Sequence, residues 1–162
     1  MTETVHTKFH GTIEVPVSDV VVFPEGLIGH SDMHRWVLLT DAGSRELYVL
    51  QSMDREDLFF TLTEPSQYVQ NYQVPLSPSH KRKLHCEFLG DLHVFVVLNK
   101  VAGMLTANLR APIVLNTTNL VALQLAIPDT AWSIRHPIPH LPGGIARTQL
   151  MPIQRNGVID ET

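Results

Sequence analysis

Apolar and polar residues alternate with a period of two through most of this chain, a rhythm that suits half-buried β-strands and leaves little room for helices. Residues 8–15 show it first: Phe9, Gly11, Ile13 and Val15 interleave with Lys8, His10, Thr12 and Glu14. Further strand candidates are 19–23, 36–40, 47–52, 58–63, 92–100, 104–109, 112–116 and 120–127, rich in Val, Leu, Phe and Thr. Turn-forming stretches separate them, among them Asp41-Ala42-Gly43-Ser44, Gly90-Asp91, Ala102-Gly103 and Thr117-Thr118-Asn119. About nine short strands at this spacing predict an all-β chain, a single-domain antiparallel barrel or sandwich. Residues 77–89 break the alternation after a Ser77 or Ser79 cap and predict a short helix with a basic face of Lys81, Arg82 and Lys83. Shorter helical turns are expected after Pro65 and within 31–35. Past Ile138 the prolines and the Gly143-Gly144 pair end the pattern, so residues 1–138 read as the folded domain and 139–162 as a tail.

The 162 residues are enough for one domain with a real core, and 44% hydrophobic with 17% charged is an ordinary soluble balance. No apolar run approaches the ~20 residues that span a bilayer, and the first residues lack a basic region followed by an apolar one. With a lone Cys86, this reads as a cytoplasmic protein. The net charge of −4 is uneven: residues 1–81 carry eleven acids and five bases, residues 82–162 five acids and seven bases. Such a chain is a poor ligand for nucleic acid, while its acidic half could steer a basic protein partner.

Within the strands, residues 19–30 (DVVVFPEGLIGH) carry the most local information. A β-branched run stops at Pro24, which cannot donate to a sheet ladder. A loop follows in which Gly26 and Gly29 flank two aliphatics, Leu27 and Ile28. Both read as exposed. With Glu25 they form an apolar centre with a charged rim, the anatomy of a protein interface. The acidic turn of Asp54, Glu56 and Asp57 offers charge to a basic partner. Phe23, Gln51, Asn108, Pro112 and Asn116 read as residues that hold the fold.

No catalytic constellation assembles. His30 and His34 have a helical i,i+4 spacing but no intervening Glu, and His80, His85 and Cys86 lack a fourth ligand. Cys86 adjoins His85, but neighbours on a helix point ~100° apart, a poor arrangement for nucleophile and base. No glycine-rich phosphate loop follows a strand. No enzyme, metal or cofactor is expected. A metal-dependent barrel enzyme and a nucleic-acid-binding barrel stand as the competing classes.

Several ordered segments resemble the flagellar assembly factor family FliW across roughly residues 5–138. They are the N-terminal TKFHGTIEV, the loop FPEGLIG, Leu50-Gln51-Ser52 with its acidic turn, residues 58–62 with Pro65, the block NLRAPIVLN over 108–116, and the closing SIRHPI over 133–138. This chain departs from the pattern with His30 where an aromatic is usual, Trp132 where Tyr is common, and the apolar run Asn119–Gln124 in place of a Lys/Gly-rich turn. The resemblance implies a partner switch. FliW proteins bind flagellin and also CsrA, a small basic RNA-binding dimer that represses flagellin translation, and relieve that repression once flagellin is exported. A flagellin-only chaperone is the narrower alternative. Glu25, Leu27, Ile28, Asp54, Glu56 and Asp57 are the expected partner contacts.

Overall fold

The computed structural model describes residues 1–8, 10–41, 44–128, 131–138 and 150–152. Its strands are β1 (Thr2–Thr7), β2 (Gly11–Pro16), β3 (Val20–Val22), β4 (Arg35–Asp41), β5 (Ser44–Ser52), β6 (Phe59–Thr63), β7 (Leu92–Val101), β8 (Met104–Ala107), β9 (Ile113–Asn116), β10 (Val121–Gln124), β11 (His136–Ile138) and β12 (Leu150–Pro152), with one α-helix, α1 (Pro78–Lys83). β3 through β7 pair in sequence as an antiparallel run. β10 then joins β3 in parallel and β9 in antiparallel, and β9 returns to β7. The result is a closed seven-stranded barrel, which removes most of the exposed edge an open sheet would leave.

β7 makes closure possible by being long. Leu92–Phe95 pair with β9, Val96–Leu98 with β6, and Leu98–Val101 with β8. β8 and β11 thus extend the sheet beside the barrel. β1 and β2 form a separate hairpin, in register from Thr2↔Pro16 to Thr7↔Gly11. The expected single strand over 8–15 is therefore the second arm of a hairpin; Phe9 lies outside the described residues. Of the tail expected over 139–162, only β12 is described, antiparallel to β4 at Leu39–Asp41.

Alternation along each strand sorts the side chains between the barrel interior and its outer face. Val21, Trp36, Leu38, Tyr48, Leu50, Leu62, Phe95, Ile113, Leu115 and Ala122 fill the interior. The intervening residues are also apolar because three structures cover the outside. The β1–β2 hairpin lays Val5 and Val15 over Val37 and Leu39. Tyr68, Val69, Tyr72 and Trp132 cover Val96, Leu98 and Ala107. Leu84, at the end of α1, sits on Val114 and Leu123. β9 is buried at all four positions for this reason.

The helical expectations hold unevenly. α1 spans six residues, capped by Ser77, which accepts from the His80 N–H while His80 Nδ1 accepts from the Ser77 N–H. It stops well before residue 89 because Leu84 turns inward and His85 takes a left-handed φ of 51°. The turn after Pro65 is present over Pro65–Gln67. The turn expected within 31–35 is a single hydrogen-bonded turn, closed by the Met33 N–H on the His30 C=O at 3.1 Å, and does not extend into a helix before β4.

Candidate functional site

The loop between β3 and β4 and the turn between β5 and β6 leave the barrel at the same end, since the start of β4 pairs with the end of β5 (Trp36↔Ser52). The Met53 N–H donates to the Arg35 C=O at 3.0 Å, tying the two together. His30 packs edge-on against Phe60, with ring centroids 5.9 Å apart, so this histidine supplies an aromatic contact at its position. The structure therefore brings the six expected contact residues to one end of the molecule.

It corrects one of them. Leu27, expected to stand exposed, is 4% exposed and belongs to the barrel interior with Phe23 and Trp36. The cause is a tight reversal: the Leu27 N–H donates to the His30 C=O at 3.1 Å and the His30 N–H to the Leu27 C=O at 2.7 Å. Gly26 (φ 67°) and Gly29 (φ 85°) supply the left-handed backbone this reversal needs. Between them Ile28 projects outward, 57% exposed. Its N–H is held by the Gln124 side-chain oxygen at 2.8 Å, and Gln124 in turn donates to the Ala111 C=O at 3.1 Å. Glu25 reaches Lys83 of α1 at 2.6 Å. The loop is thus fixed at its core, its tip and its flank before any partner arrives.

The acidic turn is equally well held. Gln51 is buried, and its two amide N–H groups lie within 3.0–3.3 Å of the carbonyls of Ser52, Arg55, Glu56 and Leu58. The Ser52 hydroxyl accepts from the N–H groups of Asp54 (3.1 Å) and Arg55 (3.0 Å). The turn then presents its acids to solvent. Arg35 bridges Glu3 and, at 4.0 Å, Asp54. Arg55 bonds Asp57 at 3.1 Å, and that guanidinium holds the Asp57 carboxyl below its usual value. Glu56 makes no ion pair among the described residues.

Of the residues expected to hold the fold, Phe23 packs in the barrel interior and Gln51, Asn108 and Asn116 make fold-holding hydrogen bonds. Asn116 is buried, donates to the Leu84 C=O at 2.9 Å and accepts from the Thr118 N–H at 3.0 Å, pinning the end of α1 to the β9–β10 turn. Asn108 accepts from the Arg110 N–H at 3.0 Å. The histidine pairs considered as ligands have other work: His34 donates from Nδ1 to the Phe23 C=O at 2.9 Å, and His80 caps α1. No group of three or more potential metal ligands gathers among the described residues, and no helix of these residues is long and apolar enough to cross a membrane. Lys83, Arg35 and Gln124 were not expected at this end. Lys83 and Gln124 reach it from distant parts of the chain and Arg35 stands at the start of β4, and no local motif marks these contacts.

Comparison with known proteins places this arrangement. The family model for the FliW protein matches residues 4–138. The flagellar assembly factor FliW of Bacillus subtilis (strain 168) is 29% identical over 136 residues, covering 83% of this chain and 95% of that protein. The factor of the same name from Thermoanaerobacter pseudethanolicus is 32% identical over 139 residues, covering 83% and 91%. A crystal structure of the flagellar assembly factor FliW superposes with a TM-score of 0.78 at 30% identity, covering 83% of this chain and 96% of that one. The match spans nearly the whole of these relatives, and the chain belongs to the FliW family of flagellar assembly factors.

Proposed function

We propose that this protein acts in the cytoplasm as a partner switch, binding flagellin and the translational repressor CsrA and relieving repression of flagellin synthesis. The observation that carries the reading is the rigid, solvent-facing Ile28 at the barrel end that also displays Asp54, Glu56 and Asp57. A single pre-positioned aliphatic amid charged groups suits a protein contact, because little ordering entropy remains to oppose binding. The acids favour encounter with a basic partner such as CsrA. Glu25, Ile28, Asp54, Glu56 and Asp57 are the proposed contacts; Leu27 supports them from the core.

Calorimetric titration into CsrA from the same organism, with flagellin as second titrant, tests the reading. Saturable CsrA binding that weakens when flagellin is present supports the switch. Flagellin binding without CsrA binding reduces the role to a flagellin chaperone. Binding to neither, or a salt-sensitive complex of this chain alone with RNA, overturns it.

A further inference from the structure

β7 loses its neighbour where the chain turns away from β6 at Pro65. β6 pairs only with Val96–Leu98, whereas Leu92–Phe95 pair on the opposite edge with β9. The Thr117 N–H donates to the Asp91 C=O at 2.9 Å and the Asn108 N–H to the Val97 C=O at 3.0 Å. Successive residues of a strand turn their backbone groups to alternate edges, so the odd-numbered residues face β9 and β8 while Leu92 and Val94 face the edge β6 has left. The Leu92 N–H is taken up by the Leu89 C=O. The Leu92 C=O and both backbone groups of Val94 have no hydrogen-bond partner among the described residues.

Leu92 and Val94 line a groove of about 870 Å³. Its other wall is the stretch 70–76, which is irregular after a turn at residues 70–71 and pairs with no strand among the described residues. The lining holds no Lys or Arg, and its one carboxylate, Glu64, accepts the Tyr48 hydroxyl at 2.8 Å. Leu89 stands at the margin, 60% exposed.

We propose that this groove is a strand-addition site that takes an uncharged, extended segment of a partner protein onto the open edge of β7. An N–H and a C=O on one residue, with a further C=O two residues away, match the ladder of an extended chain. An acidic segment would find no Lys or Arg on these walls, and for a basic one the single carboxylate, Glu64, is buried and already holds the Tyr48 hydroxyl, so either would lose hydration with little compensation. The exposed Leu89 and the half-buried Val94 offer apolar contact to side chains of the incoming strand.

The test selects phage-displayed random peptides on the full chain, with counter-selection on Leu89→Asp, a change at an exposed position. A synthetic peptide of the enriched sequence is then titrated. The site predicts an uncharged sequence with period-two apolar residues, and binding about tenfold or more weaker to Leu89→Asp. N-methylation of the peptide at alternate residues abolishes binding, while N-methylation at the intervening ones leaves it intact. Hydrogen exchange of the Val94 amide slows in the complex. Failure to enrich any peptide that discriminates wild type from Leu89→Asp, tolerance of N-methylation at every position, or an unchanged Val94 amide overturns the proposal and leaves a groove that holds solvent only. None of these readouts uses flagellin or CsrA, so this site and the partner switch stand or fall separately.

Discussion

Leu27 and Ile28 are chemically near twins with opposite fates, decided by the glycines on either side. A Cβ on Gly26 would lie 2.5 Å from the His30 carbonyl oxygen and 2.6 Å from Ser31 backbone atoms, at a φ of 67°. Gly26→Ala therefore meets both a left-handed penalty of ~1–2 kcal/mol and a backbone collision that no rotamer change relieves. Its melting temperature should fall clearly in a thermal scan. Leu27→Ala leaves a cavity in the barrel interior and should cost ~2–5 kcal/mol in denaturant unfolding. Leu27→Asp, which an exposed Leu27 would tolerate, should fail to fold. Ile28→Asp should melt with the wild type, within ~0.5 kcal/mol, yet lose partner affinity by calorimetry. An Ile28→Asp protein that binds both flagellin and CsrA at wild-type strength would remove Ile28 from the interface. The glycines and the Pro24 break were legible in the sequence. Which aliphatic faces inward was not, because that depends on the reversal between residues 27 and 30 and on Gln124, remote in sequence from Ile28.

Among the elements, strand positions were the most legible, since a period of two records burial directly. The outer coverings were not. β1 has one strongly apolar residue in its buried contacts, Val5, so it carries little alternation of its own and is visible only through its register with β2. The segment 65–76 has no period at all, because its side chains are anchors and not a repeating face. Tyr72 is such an anchor: its hydroxyl donates to the Leu109 C=O at 2.6 Å, and its ring meets Trp132 edge-on at 4.9 Å. Burial raises the Tyr72 pKa well above the ordinary tyrosine value of 10.0. The folded state thus holds this proton more tightly than the unfolded state does. The contribution to stability is complete below pH 10 and is lost as pH rises beyond it, where the unfolded chain ionises freely. Tyr72→Phe keeps the ring contact and leaves the Leu109 carbonyl without its donor, which should cost ~1–3 kcal/mol at neutral pH. Urea unfolding at pH 8 and above pH 10 gives the check: the gap between wild type and Tyr72→Phe should narrow at the higher pH. A constant gap would mean that Tyr72 ionises as readily folded as unfolded.

At the scale of the molecule, closure of the barrel gathers charge that the sequence spreads over many residues. Glu3, Glu25, Asp54, Glu56 and Asp57 reach one end, opposed there by Arg35, Arg55 and Lys83 through the ion pairs already described. The acidic half of the chain was evident from counting, but its concentration at the end that carries Ile28 follows only from the pairing of β4 with β5 and the reach of Arg35. Exposed pairs of this kind contribute little to stability, with a median of ~0–1 kcal/mol, so their consequence is the field they leave in solution. For a basic partner that field acts on the rate of encounter more than on the lifetime of the complex. Glu56→Lys reverses the one acid of the turn that has no ion pair among the described residues, and it should leave unfolding unchanged. Stopped-flow association with CsrA should slow by about twofold to tenfold at low salt, and the difference should shrink as salt shortens the screening length toward ~3 Å at 1 M. Dissociation should change little. Glu87→Lys makes the same change in net charge at an exposed position outside the proposed contacts, and should affect association less. Equal slowing by the two variants would mean that CsrA senses the net charge of the chain and not this end of the barrel.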